Sequence, residues 1–118
     1  MTVATASSFY VEQVRNITVV CFTVNALDEQ NFDTVAEELT SLIAARKPRR
    51  VVVDLASLRR IDDWGLAVVQ SFHDAVEEYG GTAILCRLSH TVASAMNESG
   101  LQCHLHIRSS RNEAVWTF

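Results

Sequence analysis

The sequence predicts an α/β domain, with a mixed, mostly parallel sheet of roughly four or five strands and about four helices. Three observations predict it. Apolar, β-branched runs, "ITVVCFTV" (17–24), "RVVVDL" (50–55) and "TAILCRL" (82–88), alternate with segments of helical periodicity. The order they make, β-β-α-β-α-β-α-β-α, contains no repeat, linker or low-complexity stretch, and such alternation gives parallel neighbours joined by right-handed crossovers. The length of 118 residues, 48% hydrophobic and 20% charged, suits one globular domain over 1–118 that buries roughly two-thirds of its unfolded surface.

Each element has its own reason. "FYVEQVR" (9–15) alternates weakly and precedes the 17–24 run, so the two read as an antiparallel pair, with Asn16 in a tight turn. After "NALDEQN" a helix of about 15 residues follows, with Phe32, Val35, Leu39, Leu42 and Ile43 on one stripe, Asn31 as its cap and Pro48 beyond its end. The strand at 50–55 has a continuous β-branched centre, as expected of a strand covered on at least one face and flanked by neighbours. A second helix carries Leu66, Val69, Phe72, Val76 and Tyr79 and stops at Gly80-Gly81, residues free to take the left-handed conformation. Beyond the strand at 82–88, Ser89 caps a third helix with Val92, Ala95 and Met96 inward, stopping at Gly100 and Leu101. "CHLHI" (103–107) reads as a short strand and "SRNEAVWTF" as a last helical turn or two.

Composition excludes several classes of function. A net charge of −4 argues against a general binder of nucleic acid or anionic membrane, which needs a basic field. The basic clusters "ARKPRR" (45–50) and Arg59-Arg60 read as solvated strand ends. "MTVATASSFY" has neither the basic start nor the apolar core of a secretory signal. No apolar stretch approaches the roughly 20 residues of a membrane span. Cys21, Cys86 and Cys103 each stand in an apolar context, as free buried thiols of a reducing compartment do. The expected location is cytoplasmic.

In open α/β sheets, function collects beyond the C-terminal ends of the parallel strands, which draws attention to "RRIDDWGLAV" (59–68). Adjacent carboxylates in a turn point apart, and nothing at a suitable spacing completes an acyl- or phosphoryl-transfer site with Asp62 and Asp63. No GxGxxG or GxxxxGK[ST] loop occurs. Asp63 is therefore expected to cap helix 2, worth about 1 kcal/mol, with Asp62 at the positive end of its dipole. Trp64 lies off the core stripe, which leaves two readings: an exposed anchor for a partner, or a lid folded onto a neighbouring loop. "CHLH" offers Cys103, His104 and His106, but on a strand the histidines share one face and the cysteine takes the other, short of the three or four ligands of a zinc site. No metal and no cofactor is expected.

The stretch "RVVVDLASLRRIDDWGLAVVQSFHDAVEEYGGTAILCRLSHTVASAMNESGL" (50–101) resembles the STAS domain of sulfate transporters and anti-sigma-factor antagonists. Its carriers are an apolar strand ending in Asp-Leu, a short loop, a turn matching Asp-Ser-Ser-Gly-Leu, a helix, Gly-Gly, a strand and a final Gly-Leu. "ALDEQNFDTVAEEL" (26–39) stands in the place of the family's first helix. For antagonists of this kind the resemblance implies that a serine in the turn is phosphorylated by a partner kinase that is also the anti-sigma factor, and that the phosphate breaks the complex. Asp62 matches the family Asp, and Gly65 and Leu66 its Gly-Leu, while Asp63 and Trp64 occupy the two hydroxyl positions.

The resemblance thus implies a non-enzymatic, protein-binding module without a phosphoacceptor at the usual turn. Its partner surface would be Asp62, Asp63, Trp64 and Gly65, with Arg59, Arg60 and Ser89 nearby. The partner would be an anti-sigma factor of the serine-kinase type or another signalling protein, with no nucleic acid and no membrane insertion. Two alternatives stay open: a STAS subunit of a larger signalling scaffold or transporter complex, and a small metal- or thiol-dependent enzyme built on His104, His106 and a cysteine.

Overall fold

The computed structural model describes residues 8–118, so the reading of the extreme N-terminus as lacking a signal lies mostly outside the described residues. The first hairpin joins β1 (Phe9–Val14) to β2 (Ile17–Phe22) with Val14 opposite Ile17. Its two-residue turn differs from expectation in detail. Arg15, not Asn16, takes the left-handed conformation, at φ +59°. Its guanidinium sits 4.3 Å from the centre of the Trp116 ring, an attraction that offsets the strain of a non-glycine residue there.

The chain continues through a two-residue strand β3 (Ala26–Leu27), helix α1 (Phe32–Arg46), β4 (Arg50–Asp54), a second two-residue strand β5 (Arg60–Ile61) and helix α2 (Asp63–Glu78). Then come β6 (Thr82–Cys86), α3 (His90–Ser99), a single 3-10 turn (Leu101–Cys103), β7 (His106–Arg108) and α4 (Arg111–Thr117). The five longer strands form one sheet in the order β1-β2-β4-β6-β7, antiparallel at β1–β2 and parallel elsewhere.

The central strands are buried on both faces, which is why they read as unbroken apolar runs. Val20, Val51, Val53 and Leu85 face the main core, with Val35, Leu39, Leu66, Phe72, Val76 and Met96 of the first three helices. Val19, Val52, Ile84 and Cys86 face the other side, where Ala114 of α4 covers them. The α2 stripe is as expected, except that Val68 and His73 are buried as well and Tyr79 only partly. The Tyr79 hydroxyl donates to the Pro48 carbonyl at 2.6 Å, and Gly80, at φ +91°, lets the chain leave the helix.

Three local expectations are corrected. Asn31 holds the N-cap position of α1 but does not cap it with its side chain. Its Oδ1 accepts from Asp28 N and its Nδ2 donates to Ala26 O, so it braces the preceding loop instead. The strand expected at 103–107 is shifted towards the C-terminus, because Leu101–Cys103 form a 3-10 turn and the His104 amide still donates to Leu101 O. β7 starts only at His106. Cys103 is consequently exposed, while Cys21 and Cys86 are buried as expected, and all three are free.

Candidate functional site

The turn at 59–65 is built on a second, two-stranded sheet. β3 and β5 pair in parallel, Ala26 with Arg60 and Leu27 with Ile61, beyond the C-terminal ends of β2 and β4. The amides of Arg59 and Arg60 both donate to Asn25 O, at 2.8 and 3.2 Å, and Asp62 N donates to Leu27 O at 3.3 Å. The loop before β5 is latched by Ser57, whose hydroxyl reaches Phe22 O at 2.7 Å and Val24 O at 2.8 Å. Arg59 and Arg60 stand at the exposed start of β5, a solvated strand end as expected, held in place through their backbone amides. Arg60 borders a polar depression with Thr23, Asn25 and Asp28.

The roles of the two carboxylates are the reverse of the expectation. Asp62, with extended backbone, is the N-cap of α2, and its Oδ1 accepts from Gly65 N at 3.0 Å. Its Oδ2 accepts from Glu29 N, also at 3.0 Å, which ties the start of α2 to the loop before α1. Asp63 already has helical conformation as the first residue of α2 and points its carboxylate to solvent. There it meets the positive end of the helix without capping it. An N-cap needs the non-helical backbone that only Asp62 has.

Gly65 is buried where α2 crosses β3. A Cβ at this position would lie 2.2 Å from Leu27 O and 2.7 Å from Ile61 Cγ1, so the helix can approach this closely only without a side chain. Next to it, Trp64 stacks on Phe32 of α1, with ring centroids 4.6 Å apart and planes at 29°, and stays 49% exposed. Phe32 was legible as the head of the α1 stripe, but not as the partner of Trp64. The available signal was topology: both residues open helices that follow parallel strands, so both lie at the same end of the sheet. The aromatic pair heads an apolar groove of about 310 Å³ between α1 and α2, floored by Leu39, Val68 and Phe72.

Ser89 caps α3, accepting from Val92 N at 3.3 Å, and α3 packs against β5. It thus stands at the same end of the molecule as the turn. Unforeseen from sequence is the anchor beneath it. Asp54, 3% exposed at the end of β4, receives Arg87 Nε and Nη2, the latter at 2.6 Å. Its Oδ1 also takes the Ala56 amide at 3.0 Å. Arg87 holds φ +56° just after β6, and this two-pronged contact compensates for that conformation.

The residues named for metal or thiol chemistry do not assemble as a unit. His104 lies in the turn after the 3-10 segment, whereas His106 stands on β7 beside α2. The Cys86 thiol is pushed by burial up to about 12, and burial also raises that of Cys21. Neither supplies a thiolate at neutral pH.

A model of the STAS domain matches residues 8–114, and the chain belongs to that family. No curated protein sequence matches it. Among solved structures it resembles an anti-sigma-factor antagonist (STAS) domain protein from Planctomyces limnophilus, with a TM-score of 0.82 and 19% identity over 97% of this chain and 98% of that one. It likewise resembles an anti-sigma factor antagonist from Mycobacterium paratuberculosis, with a TM-score of 0.81 and 15% identity over 92% and 91%. The murine anion transporter Slc26a9 contains a similar domain, with a TM-score of 0.77 and 14% identity, covering 98% of this chain and 21% of the transporter. At these identities the likeness is one of fold. Among the described residues no helix is long and apolar enough to cross a membrane.

Proposed function

We propose that this STAS domain is a non-enzymatic protein-binding module of the anti-sigma-antagonist kind, and that its partner surface is Asp62, Asp63, Trp64 and Gly65, flanked by Arg59, Arg60 and Ser89. The observation that carries this reading is Trp64: half-exposed beyond the C-terminal ends of the strands, stacked on Phe32 at the head of an apolar groove. Large aromatic side chains left partly wet on a rigid frame are typical interface anchors. The partner is an anti-sigma factor of the serine-kinase type or another signalling protein.

In this reading the interaction is not switched by phosphate at the turn, because residues 62–65 contain no hydroxyl. Asp63 does not stand in for a phosphoserine: a carboxylate carries one charge on a flat head, against about two on a tetrahedral one. Ser57, the hydroxyl of the preceding loop, is engaged with two carbonyls. A second reading, a STAS subunit of a larger assembly, draws on the occurrence of a similar domain as 21% of an anion transporter.

The experiment is capture of the partner from the host, followed by calorimetry of wild type and Trp64→Ala. Loss of a central aromatic anchor should weaken binding at least about thirtyfold, equivalent to about 2 kcal/mol. The fold should lose only about 1 kcal/mol, the worth of the stacked pair. An affinity within about twofold of wild type refutes the anchor. Co-purification with transporter subunits rather than a kinase-type protein favours the second reading.

A further inference from the structure

The C-terminal half of α2 carries a separate constellation, roughly 15 Å along the helix from Asp63. The His73 side chain is only 6% exposed. Its Nδ1 lies 3.2 Å from Asp74 Oδ1, and since a carboxylate only accepts, that nitrogen bears the proton. Nε2 is left buried and without a hydrogen-bond partner. It faces Glu77 Oε2 at 3.4 Å, one helical turn further on. His106 of β7 brings its own Nε2 to within 3.5 Å of the same oxygen, and the two imidazole rings are 5.8 Å apart between centroids. Ligand atoms of the three residues all lie within 4.8 Å of one another.

The buried Nε2 faces the Glu77 carboxylate oxygen with no hydrogen bond between them, an arrangement that is favourable only with a cation, a proton or a metal ion, between the two. We propose that His73 Nε2, Glu77 Oε2 and His106 Nε2 bind a divalent first-row transition ion, with Zn2+ the best fit. Tetrahedral zinc with bonds of about 2.0–2.1 Å has ligand–ligand edges of about 3.3 Å. Two of the three edges here, 3.4 and 3.5 Å, already have that length, and rotation of the half-exposed His106 closes the third. Asp74 completes the pattern, since a ligating histidine usually donates its other N–H to a carboxylate. Two imidazoles and one carboxylate favour zinc and its neighbours over Mg2+ and Ca2+, which take oxygen ligands. The fourth position opens to solvent between Glu77 and His106, which are 43% and 50% exposed, and takes water. The ion pins β7, the last strand of the sheet, to α2. None of this depends on the partner surface at the turn, and His104 is not part of it.

The test is titration of chelator-treated full chain with ZnCl2 by calorimetry and with CoCl2 by visible absorption. The expected result is saturable uptake of about one equivalent, with the cobalt bands of a tetrahedral nitrogen–oxygen site and no thiolate charge-transfer band. Glu77→Gln and His106→Gln each weaken uptake at least about tenfold, and Asp74→Asn by about 10- to 100-fold. Cys103→Ser and His104→Ala leave it within about twofold. Glu77 and His106 are half-exposed, so their variants keep the fold, verified by thermal melts, and the result does not hang on the buried His73→Gln. The proposal is overturned by no saturable uptake in the wild type, by uptake that survives both Glu77→Gln and His106→Gln, by equal uptake of Mg2+, or by loss of uptake in Cys103→Ser.

Discussion

Replacing Gly65 by alanine sets two effects against each other, and the structure decides between them. In a free helix the change is favourable by about 1 kcal/mol, because glycine is the poorer helix former. Here the new methyl would sit 2.2 Å from the Leu27 carbonyl oxygen and 2.9 Å from its carbon. That is more than about 1 Å inside normal contact. The obstacle is backbone and cannot rotate away. The start of α2 would have to retreat, loosening the bond from Asp62 N to Leu27 O and the β3–β5 ladder that flanks it. Overpacking costs about 1–3 kcal/mol and each lost hydrogen bond about 1 kcal/mol, so the net change is a destabilisation of about 2 kcal/mol. In urea, with a slope of about 1–3 kcal/mol per molar, the midpoint should fall by about 1 M at unchanged slope. A Gly65→Ala variant as stable as wild type, or more so, would mean that helix propensity wins and that the close approach of α2 to β3 is wrong.

Two further outcomes can be measured alongside. Asp62→Ala should cost about 1–3 kcal/mol in the same melts, because it removes both the cap and the tie to the Glu29 amide, while Asp63→Ala should cost no more than about 0.5 kcal/mol; the opposite ranking would restore Asp63 as the cap. The raised ionisation of Cys86, from 9.0 to about 12, acts only at alkaline pH. Its contribution to stability is whole below the ordinary thiol value and is lost as pH rises towards about 12, because the unfolded thiol ionises first. Over that window wild type should lose more stability than Cys86→Ala, and parallel losses would refute the assignment.

Much of the fold was legible because its signals are periodic. Runs such as 50–55 and the 66/69/72/76 stripe repeat over enough residues to distinguish strand from helix. β3 and β5 were not, since two residues carry no period, and yet they form the floor of the candidate site. The adjacent carboxylates were a degenerate signal: either could cap, and only the extended backbone of Asp62 separates them. "CHLHI" misled only at its start, since residues 104–107 alternate in burial but Cys103 belongs to the 3-10 turn and the strand begins at His106. His73 and His106 are 33 residues apart in the chain, and the pairing of β6 with β7 is what brings them together. The Trp64–Phe32 stack was hidden for the same reason, as it depends on which helix ends are neighbours in space.

The Ser57 latch bears on the thermodynamics of any association at the turn. One hydroxyl joins the loop before β5 to the carbonyls that close β2, so the platform under Trp64 is assembled before a partner arrives. Docking onto it orders little further chain, and the conformational-entropy penalty that accompanies coupled folding is avoided. Its heat-capacity change should therefore follow the apolar area covered at the contact, and its association rate should show no slow step assignable to a rearrangement of residues 55–65.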